Sequence, residues 1–110
     1  MAEALKVLGQ ASPLAATPAD LYTVPAGKMT TVSSLTVCNR SAVSVLFRVS
    51  IAPAGAVTAP EQYLYYDLPL DGNDTFIATV GLSLAATDVI RVYSDLGSVS
   101  FGAYGAEVTP

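Results

Sequence analysis

Val43-Ser44-Val45-Leu46-Phe47-Arg48-Val49-Ser50-Ile51-Ala52 is the stretch that decides the fold of this chain. Val43, Val45, Phe47, Val49 and Ile51 alternate with Ser44, Leu46, Arg48, Ser50 and Ala52. That period of two turns one row toward a core and the other toward water, as in a half-buried β-strand. Leu64, Tyr66, Leu68 and Leu70 repeat the pattern downstream as an inward row, and Val99, Phe101 and Ala103 repeat it near the end. Residues 74–80 and Val89 to Tyr93 are dense in β-branched and aromatic side chains, which suit a pleated surface.

Turn chemistry falls between these runs. Val24-Pro25-Ala26-Gly27-Lys28 reads as a turn with Pro25 at its second position, and Asp71-Gly72-Asn73-Asp74 supplies Gly and Asn for positive φ. Asp95-Leu96-Gly97 closes a further strand pair, while Ala52-Pro53-Ala54-Gly55 starts a longer loop reaching Pro60. The expected strands are 4–9, 20–24, 29–38, 43–52, 61–70, 74–80, 88–94 and 98–108, with essentially no helix, since no segment shows apolar residues at helical spacing between caps. About eight antiparallel strands in one small domain predict an all-β, single antiparallel β-sandwich, jelly-roll-like in its winding. An immunoglobulin-like sandwich is the nearest alternative, but its Cys…Trp…Cys core is missing. Residues 1–19 read as an N-terminal strand and extended arm, and 20–110 as the sandwich domain. The arm stretch Gln10 to Ala19 holds two prolines and no charge. It suits a surface loop, or an arm laid on a neighbouring subunit through residues such as Pro13 and Leu14.

Composition narrows the function. Only 13% of residues are charged, against about 25% in ordinary domains, although 52% are hydrophobic. A monomer of this mass exposes roughly 5,700 Å², of which the charged side chains cover about a quarter. Such a surface suits packing against other proteins. The net charge of −4 and the scattered basic residues Lys6, Lys28, Arg40, Arg48 and Arg91 give no patch for nucleic acid. Met1-Ala2-Glu3-Ala4-Leu5-Lys6 lacks the apolar core of a secretory signal, and no apolar run approaches the ~20 residues of a membrane span. Asn39-Arg40-Ser41 and Asn73-Asp74-Thr75 match the glycosylation triplet by chance in that context.

Catalytic parts are missing as well. Without histidine there is no Ser-His-Asp or Cys-His pairing and no zinc site of ordinary composition, and no phosphate-binding Gly-rich motif occurs. The single Cys38 ends an apolar strand and reads as a small buried hydrophobe rather than a reactive thiol. Asp67, Asp71, Asn73 and Asp74 could gather around Ca²⁺, but their spacing is not that of an EF-hand and Asp-Gly-Asn-Asp is ordinary turn vocabulary. Asp67, Asp88 and Glu61 offer carboxylates for glycoside hydrolysis with nothing to select a pair. No small-molecule substrate, cofactor or metal is therefore expected.

The most suggestive run is Gln62-Tyr63-Leu64-Tyr65-Tyr66-Asp67. With Leu64 and Tyr66 inward, Tyr63 and Tyr65 point outward beside Arg48 and Leu46 of the preceding strand. These residues cover the sheet, form the centre of a protein interface, or stack on sugar rings.

Several stretches resemble small β-sandwich virion structural proteins of tailed bacteriophages. They are Leu21-Tyr22-Thr23-Val24-Pro25-Ala26-Gly27-Lys28, Val32-Ser33-Ser34-Leu35-Thr36-Val37-Cys38-Asn39-Arg40-Ser41, Phe47-Arg48-Val49, Pro53-Ala54-Gly55 and Tyr63-Leu64-Tyr65-Tyr66-Asp67. Asn73-Asp74-Thr75, Gly81-Leu82-Ser83-Leu84-Ala85, Asp88-Val89-Ile90-Arg91-Val92-Tyr93, Ser100-Phe101 and Gly105-Ala106-Glu107 continue it, so that it spans residues 20–108. The resemblance implies a β-sandwich without enzymatic activity, made in the host bacterial cytoplasm and carried on the virion. It implies capsid decoration or cement, neck or tail service, contacts with the major capsid protein or neck and tail proteins, and a homo-oligomer. The alternative is a carbohydrate-binding module of a tail or fibre that recognises the host surface. Tyr63, Tyr65, Arg48, Leu46, Pro13 and Leu14 are the expected contact residues.

Overall fold

A computed structural model describes residues 2–110. Eight strands form in order: β1 (Ala2–Ala11), β2 (Ala19–Thr23), β3 (Met29–Asn39), β4 (Val45–Ala52), β5 (Tyr63–Leu70), β6 (Thr75–Leu84), β7 (Val89–Ser94) and β8 (Val99–Thr109). Each expected strand is present, and the described residues contain no α-helix, only two short 3₁₀ turns at Pro53–Gly55 and Pro60–Gln62. The strands lie in two four-stranded antiparallel sheets, ordered β1-β8-β3-β6 and β2-β7-β4-β5.

That order is the jelly roll. Strands 1 and 8, 2 and 7, 3 and 6, and 4 and 5 are all hydrogen-bonded neighbours, as if one long hairpin with its tip between β4 and β5 had been rolled up. Rolling adds the β3–β8 and β4–β7 pairings. Every connection except β4 to β5 crosses between sheets, so the Asp95-Leu96-Gly97 turn joins strands in different sheets rather than closing a hairpin. The Pro25 turn differs by one position. The Lys28 amide donates to Pro25 O at 3.2 Å, which makes Pro25 the first residue and Gly27, at φ 76, the third. A type II turn requires positive φ there, and Gly adopts it without a Cβ clash.

The inward rows of both sheets meet in one core. Val24, Val32, Val37, Val45, Phe47, Val49, Ile90, Val92 and Val99 are essentially inaccessible. Phe47 stands at its centre, with the rings of Phe76, Tyr65 and Phe101 at 5.6, 6.2 and 6.3 Å. Tilted and edge-on arrangements of this kind let the positive ring edge meet the negative ring face. The total exposed surface, 5619 Å², is close to the mass-based expectation. The molecule is an elongated slab of 45 × 27 × 19 Å.

One end of the sandwich is tied by a buried amide. Asn39 Nδ2 donates to the backbone oxygens of Val43, Asp71 and Leu70 at 2.8, 3.1 and 3.4 Å. Its Oδ1 accepts from Ser41 N, Ser41 Oγ and Ser98 Oγ. One side chain thus joins the β3–β4, β5–β6 and β7–β8 connections. The sequence shows Asn39 only as part of a chance triplet, because what makes it special is three loops brought together in space. At the opposite end Glu107, 7% exposed, accepts from Tyr22 Oη at 2.6 Å and from Lys6 Nζ at 3.1 Å. Thr30 Oγ1 lies 2.7 Å from the same tyrosine oxygen.

Candidate interaction face

The outer face of the β2-β7-β4-β5 sheet carries the ordered polar and aromatic chemistry. On β4, Arg48 and Ser50 point away from the core; on β7, Arg91 and Tyr93 do, since Arg48 pairs with Tyr93 and Ser50 with Arg91 in register. The Arg48 guanidinium lies 4.3 Å from the Tyr66 ring centroid and 4.4 Å from that of Tyr93. It also donates from Nε and Nη2 to the two Asp67 carboxylate oxygens at 2.6 and 3.3 Å. A planar cation forked onto a carboxylate and flanked by ring faces is held in one orientation. The paired carboxylate raises the Arg48 pKa further, so this cation does not titrate.

Arg91 organises the adjacent loop. Nη1 donates to Ala56 O at 2.6 Å and Thr58 Oγ1 at 3.3 Å, Nη2 to Gly55 O at 3.1 Å, and Nε to Asp20 at 3.3 Å. The loop is thereby pinned to the sheet. Between the two lies a cleft of about 190 Å³ whose lining includes Arg48, Ser50, Thr58, Tyr63, Arg91 and Tyr93. A shallower hollow of about 500 Å³ opens beside it over Thr58, Pro60, Tyr63 and Tyr66, and Tyr63 and Tyr66 meet edge to face at 4.8 Å.

The phasing of β5 differs from the sequence expectation. Leu68 and Leu70 turn inward as expected, but Tyr66 is 59% exposed, Leu64 is exposed, and Tyr65 packs on Phe47 and Phe76. Two bulges cause this. Tyr63 and Tyr65 oppose the adjacent residues Ser50 and Val49, and Tyr65 and Leu68 oppose Val49 and Phe47. Each bulge inserts one residue, and each insertion flips the strand's phase. Asp67, at φ 51, is the left-handed residue in the second bulge. Pro69 is the available sequence cue, because proline in a strand marks an edge, where bulges concentrate.

The expected contact residues are therefore divided. Tyr63 and Arg48 share the face, with Leu46 exposed at its margin and Tyr65 removed to the core side. Pro13 is buried, whereas Leu14 next to it is 76% exposed. Their loop folds back on its own domain, Ala16 N donating to Ser94 O at 2.8 Å and Arg40 Nη2 to Ser12 Oγ at 2.8 Å. Tyr66, Tyr93 and Arg91 join the face without having been expected, although the alternation in Val-Ile-Arg-Val-Tyr already sets Arg91 and Tyr93 on one side. Arg48 draws Asp67 away from the Asp71–Asp74 turn, and Asp88 accepts from the Ala54 and Ala85 amides, so these acids serve separate local roles. Cys38 is half-buried on the outer face of the other sheet rather than in the core, since Val37 and Asn39 take the inward positions.

Neither a protein family nor a curated protein matches this chain by sequence. Solved structures do match its fold. A chain of the infectious bursal disease virus T13 particle superposes on 96% of this chain with a TM-score of 0.54 at 12% identity, and one from the Gx strain of that virus on 96% with 0.55 at 11%. This chain spans 30% and 32% of those chains, so the likeness is to a part of each. A pentameric capsid protein isolated from metagenomic phage sequences overlaps with a TM-score of 0.42 at 15% identity, covering 96% of this chain and 64% of that one. That overlap is too loose to bear on the argument. The two viral likenesses establish a shared jelly-roll fold.

Proposed function

We propose that this chain is a non-enzymatic structural protein of a virus particle, of the tailed-bacteriophage kind its sequence resembles. Its role is to bind neighbouring virion proteins and stabilise the assembled capsid, as decoration or cement, or the neck or tail. The observation that carries this reading is the jelly roll itself, superposing over 96% of the chain on a segment of a virus particle chain. The charge-poor surface supports it, and so does the rigid Arg48–Tyr66–Tyr93 stack, because oriented tyrosine and arginine side chains are the usual centre of a protein interface.

In particles produced from the genome that encodes the chain, the protein is expected to co-purify in fixed copy number. Its absence from density-purified particles would overturn the reading. Tyr63→Ser with Tyr66→Ser is expected to abolish incorporation while leaving the circular dichroism of the free protein unchanged, since both side chains stand outside the core.

The second reading, a carbohydrate-binding module for the host surface, is favoured by the cleft and hollow that meet at Tyr63 and Thr58. Against it, Arg48 already covers one face of both Tyr66 and Tyr93, which removes stacking surface. Binding of the isolated protein to host polysaccharide, lost in Tyr63→Ser, would promote this reading over the first.

A further inference from the structure

We propose that β6 is a pairing edge, onto which β6 of a second copy of this chain adds antiparallel across a two-fold axis through Ile77. β6 ends the order β1-β8-β3-β6, so one side of its backbone meets no strand among the described residues. Unpaired N–H and C=O groups along an edge are a template for another strand, and natural edges are normally guarded by charge, proline, bulges or short length.

The other three edges carry such guards. β1 bears Glu3 and Lys6 and is bulged at Leu8. β2 is five residues long, with Asp20 and a bulge at Leu21. β5 has Pro69 and two bulges. In contrast, β6 runs ten residues, Thr75 to Leu84, without a charge or a proline. Its one irregularity, where Thr79 and Leu82 oppose Ser34 and Val32, leaves Thr75–Thr79 as a regular stretch.

The composition of that stretch selects a copy of itself as occupant. A two-fold axis sets identical strands side by side, so any charge on the edge would face its own kind; β6 has none. With the axis through Ile77, Thr75 faces the partner's Thr79 and Phe76 faces the partner's Ala78, a large inward side chain beside a small one. Ile77, 67% exposed in the isolated chain, faces its counterpart on the outer surface. Directly opposed β-branched residues are favourable cross-strand pairs. The sheet then continues through the axis as eight strands.

This inference is independent of the virion reading and is tested without particles. A five-residue pairing buries less than a standard interface, so sedimentation of the full chain should show a monomer–dimer equilibrium between roughly 1 and 500 μM. Ile77→Lys places two ammonium groups at the axis and should weaken dimerisation at least about tenfold, with unchanged far-ultraviolet circular dichroism. Leu5→Lys, on the opposite edge, should leave it intact. In a Cys38→Ser background, Ile77→Cys should cross-link two copies on mild oxidation, whereas Thr23→Cys on the β2 edge should not. The cross-link keeps the proposal open to refutation even where Ile77→Lys misfolds. A monomer throughout the range, dimers lost in Leu5→Lys but not in Ile77→Lys, or no cross-link through position 77 would each overturn it.

Discussion

The two outer faces of this sandwich solve the same problem, meeting water or a neighbour, with opposite chemistry. On the β2-β7-β4-β5 side, Asp20, Arg91, Arg48 and Asp67 form two ion pairs, interleaved with Tyr63, Tyr66 and Tyr93. On the β1-β8-β3-β6 side, the two strands β3 and β6 contain no charged residue at all, and the outward positions are held by Thr31, Ser34, Thr36, Thr79, Ser83, Ile77 and Tyr104. Tyr104 reaches over Gly102 there, a position where a Cβ would meet its hydroxyl end and Thr36 Oγ1. The first face is pre-organised, since each long side chain is already locked by a partner and loses little freedom on binding. The second is smooth and offers hydroxyls and backbone. Nearly all directional recognition sits on one sheet, and nearly all capacity for sheet extension on the other.

Both faces depend on one shared core, which gives the largest expected effect. Phe47→Ala removes the ring on which Tyr65, Phe76 and Phe101 converge, and should cost about 3–5 kcal/mol in chemical denaturation. A loss below about 1 kcal/mol would mean that the sheets repack independently of one another. Asn39→Ala comes next, at about 1–3 kcal/mol, because it removes a buried amide whose hydrogen bonds to Val43, Asp71, Ser41 and Ser98 hold three connections together. It should also raise amide exchange in the three connections that it ties, whichever sheet they enter.

The end of the slab that holds Tyr22 and Glu107 links stability to pH. The Tyr22 hydroxyl and Lys6 hold the Glu107 carboxyl below its ordinary value of 4.5. The unfolded chain then takes up a proton before the folded one, so this stabilisation is present above pH 4.5 and is lost as the pH falls toward the folded value. Burial, then the hydrogen bond to Glu107, pushes the Tyr22 hydroxyl from 10.0 up to about 12. Its contribution is complete below pH 10 and disappears as the pH rises toward 12. Glu107→Gln should flatten the acid limb of the stability profile and Tyr22→Phe the alkaline limb. Unaltered limbs would detach these groups from stability.

Smaller effects sharpen the contrast between faces. Arg48→Met should cost about 1–2 kcal/mol through the lost ring contacts and the partly exposed ion pair, a difference that shrinks with added salt. Arg48→Lys should recover little of it, because an ammonium cannot fork onto Asp67 while lying between two rings. Ile77→Lys, on the uncharged face, should change the stability of the monomer by no more than about 0.5 kcal/mol, so that its effect appears in association alone. Equal costs at Arg48 and Ile77 would mean that the two faces do not differ in how they contribute to stability.

Much of this was legible residue by residue. Val45, Phe47 and Val49 face inward as their alternation requires, and the eight strand positions follow from runs of period two between Gly, Pro, Asn and Asp. Tyr65 and Tyr66 were not legible, because Pro69 marks β5 as an edge strand but does not say where a bulge inserts its extra residue. Nor was Asn39, whose partners at Val43, Leu70, Asp71 and Ser98 are spread along the chain.

Local pattern alone determined that this protein is all β, poor in charge and without histidine, because period, turn chemistry and composition act between near neighbours. Which strands border one another, which edge stays open and which tyrosines reach the surface were decided only when the rolled hairpin closed. Those outcomes depend on backbone pairing between residues far apart in sequence, and a single inserted residue there reverses every side chain beyond it.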